Sequence, residues 1–195
     1  MKKIVTFLVL IMLMCSCVAC NKKDIYDVDT DTIYVSTDAK VIEVRFDTLE
    51  GYSDYDDYSS HLDGRMSDYN FKVGGILVWK DELEQVGVNR MRLKAGYSNC
   101  YSYSGYNNID FMCTKLSEAK EFHYDYVANY INKADGSEVT SKIALADENN
   151  YIVYIKKDVN IYIDGTILYY SDNVEVLDEN LIKATAEDFC CIIFK

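Results

Sequence analysis

The 195-residue chain contains no proline, where average usage predicts about ten. Its turns must therefore be made by glycine, asparagine and aspartate, and no prolyl isomerisation can limit folding. Histidine is almost absent too, with His61 and His123 the only two. His61 stands near Asp56, Asp57 and Asp63, a setting that a metal site and a solvated acidic loop share, and His123 reads as structural. Beyond the first twenty residues no C-x-x-C occurs, which disfavours zinc or dithiol redox chemistry. G-x-S-x-G, H-E-x-x-H, the P-loop and G-x-G-x-x-G are all missing, so no catalytic residue, metal or cofactor is assigned. Positive charge is scarce: 20 basic against 32 acidic side chains leave a net charge of −12. Such a surface repels nucleic acid and anionic headgroups, and both are set aside as partners.

What is present begins with Lys2 and Lys3 and an apolar run over 4–14 whose only polar member is Thr6. That run is too short to span a bilayer and suits the apolar region of a signal peptide. Cys15, Cys17 and Cys20 follow. Val18-Ala19-Cys20 resembles the lipobox of bacterial lipoproteins: an apolar residue, two small residues and a cysteine, with Cys17 standing where a leucine is usual. The resemblance covers residues 1–24. It implies cleavage before the cysteine and a diacylglyceryl group on its thiol. Cys20 is favoured because the chain turns polar at once after it, through Asn21-Lys22-Lys23-Asp24; Cys17, preceded by Ser16, is the alternative. The implied plan is a signal peptide at 1–19, a lipidated cysteine and acidic tether at 20–31, and one globular domain at 32–195. Two or three acyl chains make a stable anchor. Asn21 is not the aspartate of inner-membrane retention, so the resemblance implies an outer-membrane lipoprotein, periplasmic or surface-exposed.

The body reads as mainly β, an antiparallel sandwich, with α+β as the alternative if one helix forms near 118–134. Segments 32–37 and 40–48 make a first hairpin, in which Ile42, Val44 and Phe46 alternate with Glu43, Arg45 and Asp47. This opening resembles the start of Ig-like domains of surface lipoproteins. Further strands are expected at 71–79, at 89–95 with Arg90, Arg92 and Lys94 on an outer face, at 109–114, at 138–145 and at 151–156. Asp164-Gly165 is expected to close a two-residue hairpin between 158–163 and 166–171. The segment 189–194 is apolar on both faces, as a covered or central strand would be. Over 117–136 helical spacing and strand alternation compete.

Two stretches, 51–70 and 96–108, read as tyrosine-rich loops. Tyr52, Tyr55 and Tyr58 in the first, and Tyr97, Tyr101, Tyr103 and Tyr106 in the second, are interleaved with Ser, Asp, Asn and Gly. That mixture is used in antibody paratopes, where tyrosine supplies contact area at low entropic cost, and its rings suit stacking on sugars. These seven tyrosines are the candidate ligand-binding residues for a glycan or protein. The alternative is that a tyrosine-rich chain simply has tyrosines in its loops. Four cysteines remain after the signal, and Cys100 with Cys113 is the first choice for a disulfide. Adjacent Cys190 and Cys191 should point to opposite faces of a strand. The functional expectation is a lipid-anchored binding module, followed by an assembly subunit of a surface complex and then by a hydrolase.

Overall fold

Runs of β-branched and aromatic residues become thirteen strands among the described residues. The computed structural model describes residues 25–38, 40–119 and 129–195. The signal segment with Cys17 and Cys20, and His123, lie outside the described residues. One sheet takes β1 (Thr32–Ser36), β2 (Val41–Thr48), β3 (Val78–Gly87), β4 (Arg90–Tyr97), β9 (Val159–Asp164), β11 (Glu175–Val176) and β12 (Leu181–Ala184), in the order β11-β12-β9-β1-β2-β4-β3. The other takes β5 (Phe111–Lys115), β6 (Asn129–Asn132), β7 (Glu138–Thr140), β8 (Tyr151–Ile155), β10 (Ile167–Tyr170) and β13 (Cys190–Phe194), in the order β5-β8-β13-β10-β6-β7. Every described pairing is antiparallel except β1 with β9, which run parallel. The result is a sandwich-like, mainly β fold with helical additions.

The sheets share one core, to which Ile33, Leu93, Ile161, Val153, Ile192 and Phe194 contribute. A second cluster covers the outer face of the six-stranded sheet, built from Met112, Leu116, Tyr130, Ile152 and Ile193. Strand β13 is therefore buried on both faces, with Cys190 in one cluster and Cys191 in the other, as the apolar run of 189–194 implies. The first hairpin forms where the alternation places it, with Tyr34 opposite Ile42. Met91, Leu93 and Ala95 of β4 point into the core, and Arg90, Arg92 and Lys94 lie on its other face.

Those three cations hold the segment expected as a tether. Arg92 Nη2 donates to the Tyr26 carbonyl and Arg90 Nη2 to the Asp29 carbonyl, each at 2.7 Å, and Lys94 Nζ sits 3.9 Å from the centre of the Tyr26 ring. The Tyr34 hydroxyl donates to the Ile25 carbonyl at 2.6 Å, and Asp31 accepts the Phe46 N–H at 2.9 Å. Residues 25–31 thus lie against the seven-stranded sheet and do not hang free.

The stretch expected as a loop at 51–70 is mostly helix α1 (Tyr55–Val73). Asp54 caps its start by accepting the Asp57 N–H, and Gly74, at φ 76°, ends it in the left-handed region that glycine adopts without strain. Tyr58, Leu62 and Met66 form its buried face, each worth roughly 1.5–3 kcal/mol of burial. The expected strand at 71–79 consequently begins only at Val78. Asn70 joins helix to strand, with its Oδ1 accepting the Leu77 and Val78 N–H groups at 2.9 and 3.0 Å.

The second expected loop divides between the end of β4 and helix α2 (Cys100–Asn107), capped by Asn99 and by Asn108 at φ 54°. The helix expected near 118–134 is reduced to α3 (Leu116–Ala119); residues 120–128 lie outside the described residues, and 129–132 is strand β6. Residues 138–145 split into β7 and α4 (Ser141–Ala144).

The Asp164-Gly165 hairpin is also overturned, because β9 and β10 belong to different sheets. Strand β9 is paired on both edges, by β1 and β12, and β10 likewise by β13 and β6, so neither edge is left for the other. Gly165 serves a different need. A Cβ there would lie 2.8 Å from the Lys195 carbonyl oxygen, where the chain end pairs with Thr166.

Candidate functional site

The alternation of β2 has an unexpected sense: Glu43, Arg45 and Asp47 occupy the face turned toward the other sheet and toward α1 and α2. Glu43 pairs across the sheet with Ile33 and Ala95, both core residues, and is 1% exposed. Its Oε1 accepts from Tyr103 Oη at 2.9 Å and Lys157 Nζ at 3.3 Å. Its Oε2 accepts from Tyr97 Oη at 2.9 Å and Arg45 Nη1 at 3.4 Å. Arg45 Nε donates to both oxygens of Asp47, at 3.0 and 2.9 Å, and Asp47 also accepts the Tyr58 hydroxyl. From α2, Asn107 Nδ2 donates to Tyr97 Oη at 3.3 Å and its Oδ1 accepts from Arg45 Nη1 at 3.5 Å. Glu43 and Asp47 are thereby balanced by Arg45 and Lys157.

Burial, reinforced by the Glu43 charge, raises the Tyr97 and Tyr103 hydroxyls above the ordinary tyrosine pKa. Burial and the hydrogen bond to Asp47 do the same for Tyr58. All three remain protonated donors. Burial opposes the Arg45 charge, but the Glu43 and Asp47 carboxylates outweigh it and the guanidinium pKa lies above its usual value. Removing such charges from water costs several kcal/mol per ion, and apolar residues of equal size are often the more stable choice. A network of this kind beside a cleft points to function more than to stability.

The cleft lies directly against it, between β2 and the first half of α1. Arg45, Asp47 and Thr48 of β2, Tyr52 of the connecting turn, and Tyr58, His61 and Arg65 of α1 line a cavity of about 370 Å³. The Tyr52 ring lies edge-on to Tyr58 at 5.0 Å and 5.4 Å from His61, forming an aromatic wall. The Arg65 guanidinium sits 5.1 Å from the centre of the Tyr106 ring and makes no ion pair among the described residues. The Tyr106 hydroxyl is buried without a hydrogen-bond partner. A cavity of similar size, about 380 Å³, opens beside Gly165, but neither of its charged side chains, Lys133 and Glu179, is buried.

The two tyrosine-rich stretches do meet at one end of the sandwich, where Tyr69 packs on Tyr106 at 5.6 Å. Most of the rings, however, face inward. Tyr58, Tyr97, Tyr103 and Tyr106 are buried, and Tyr55 is half-buried with its hydroxyl donating to the Leu83 carbonyl at 3.2 Å. Helices α1 and α2 and the end of β4 turn these rings inward, which corrects the exposed, paratope-like reading for them. Tyr52 and Tyr58 line the cleft, and Tyr101 is 54% exposed on α2. Glu43, Arg45, Arg65, Asn107 and Lys157 were not singled out as site residues. The available signal was two carboxylates and an arginine on one face of an early strand.

Cys100 and Cys113 are both buried free thiols in the structure, not the expected disulfide. The fold nevertheless makes them neighbours, since α2 packs against β5 and both side chains belong to the same core cluster. Burial pushes both thiols above their ordinary pKa, away from the thiolate that exchange requires.

Compared with known proteins, the chain matches no family model, no curated protein and no solved structure. The site's own chemistry is what defines it: a polar cleft with an aromatic wall, floored by a balanced buried charge network.

Proposed function

We propose that this chain is a lipid-anchored protein of the cell envelope that acts as a binding module, holding a glycan in the cleft between β2 and α1. The anchor rests on the lipobox-like sequence ending at Cys20. The observation that carries the binding reading is the Glu43–Arg45–Asp47 network, which fixes polar groups at the cleft floor at a cost in stability. Its volume falls near the lower end of the range for small-molecule sites, about 300–1,000 Å³. Tyr52 offers a ring face, and Thr48, His61 and Arg65 offer hydrogen bonds, the combination that a sugar's apolar face and hydroxyls require.

Screening the detergent-solubilised protein against a glycan panel tests this. Thr48→Trp places an indole in the mouth of the cleft from an exposed position and is expected to abolish capture without changing the circular dichroism. Capture that persists in this variant overturns the cleft assignment.

An assembly role is the second reading, favoured by a separate surface. Phe71 and Ile76, 90% and 80% exposed, flank Trp79 where α1 meets edge strand β3. Co-purification of a membrane complex that is lost in Phe71→Glu/Ile76→Glu, with no glycan captured, would select it.

A further inference from the structure

We infer that the cleft takes an acidic sugar, a saccharide ring whose single carboxylate pairs with Arg65 while the ring lies against Tyr52; this rests on the glycan-binding reading above. The carboxylates at the cleft floor are already engaged. Asp47 is held by Arg45 and Tyr58, and Glu43 by Arg45, Lys157, Tyr97 and Tyr103. Neither is left to neutralise a further cation. Arg65 has no carboxylate partner among the described residues, so the lining carries one positive charge in excess, in a chain whose net charge is −12. The Arg65 guanidinium packs over the Tyr106 ring, 5.1 Å from its centre, and lines the cleft. A guanidinium with no carboxylate partner suits a ligand carboxylate, whose two oxygens it can meet through two parallel hydrogen bonds. The surrounding surface selects further. Asp54, Asp56 and Asp57 at the start of α1 repel a polyanion, so nucleic acid or a densely sulfated chain is excluded and a single carboxylate is admitted.

Calorimetric titration of the detergent-solubilised protein with D-glucuronate, D-glucose and acetate tests the inference. Glucuronate is expected to bind about tenfold or more tightly than glucose or acetate, since a charge-assisted pair and a ring contact act together. Arg65 is exposed, so Arg65→Gln should leave the fold intact and remove that preference, weakening glucuronate far more than glucose; Tyr52→Ala should weaken both sugars. Equal binding of glucuronate and glucose, or a preference that survives Arg65→Gln, overturns the acidic-sugar inference. If a neutral glycan is captured and lost in Thr48→Trp, the cleft reading stands and only the acidic preference fails. If no titrant and no glycan responds to Thr48→Trp, both fall.

Discussion

At Glu43 four donors converge on one carboxylate, and they come from separate parts of the chain: Arg45, Tyr97 at the end of β4, Tyr103 on α2, and Lys157 between β8 and β9. Lys157 also reaches the Tyr103 hydroxyl at 3.2 Å, so deleting that ring disturbs both charges. Tyr103→Ala is therefore expected to cost about 3–5 kcal/mol, as large buried aromatics do. Neighbouring Tyr101→Ala, on the exposed side of α2, should stay within about 0.5 kcal/mol. Urea denaturation of the two variants checks this, and equal losses would contradict the inward placement of Tyr103. The alternation in which Glu43 sits is plain in the sequence, but its sense is not. Period two says only that one face differs from the other. Here the apolar face of Ile42, Val44 and Phe46 is covered by residues 25–31, and the polar face by two helices.

Among the elements, α1 was legible in part. Asp54 as a cap, Tyr58, Leu62, Met66 and Tyr69 at helical spacing, and Gly74 as terminator are all present in the sequence. Serine, aspartate, tyrosine and Gly64 fill the positions between, residues of middling to poor helix propensity, and they make the stretch look like a loop. Burial of one face against β3, with Tyr69 packed on Tyr106 of α2, overrides that weak local preference. Strand pairing illustrates the opposite failure, since Asp164-Gly165 carries a strong local hairpin signal that long-range partners on both edges of β9 and β10 defeat. At Gly96 the sheet makes a demand of its own. A Cβ there would lie 2.2 Å from Trp79 Cε2, so the glycine admits the indole onto the sheet. Gly96→Ala is expected to displace the ring, at a cost of about 1–3 kcal/mol. Trp79 is the only tryptophan, so a red shift of the intrinsic fluorescence reports it directly; unchanged emission would mean that the ring does not rest on Gly96.

For the whole molecule, the clamp on residues 25–31 bears on how the proposed anchor works. With lipid on Cys20, only residues 20–24 separate the membrane from the folded body, at most about 17 Å even fully extended. The domain would then sit close to the bilayer with little freedom to reorient. Cys20→Ala is expected to move the protein from the membrane fraction to the soluble fraction after cell lysis. Release by Cys17→Ala instead, with Cys20→Ala still membrane-bound, would place the lipid three residues earlier. Among the described residues no helix is long and apolar enough to cross a membrane.

Composition and periodicity alone determined the mainly β class, the first hairpin, strand β4 with its basic outer face, and the doubly buried β13 with its opposed cysteines. These depend on local alternation and on apolar density, which a strand carries within itself. The tertiary structure decided which face of β2 is interior, that the tyrosine-rich stretches form helices and the end of β4 with most rings turned inward, that Asp164-Gly165 joins two sheets, and that Arg45, Asp47 and Arg65 meet in one cleft. Each of these depends on contacts between residues far apart in the chain. Their energies, a row of buried apolar side chains or of interstrand hydrogen bonds, exceed the few tenths of a kcal/mol by which local propensities differ.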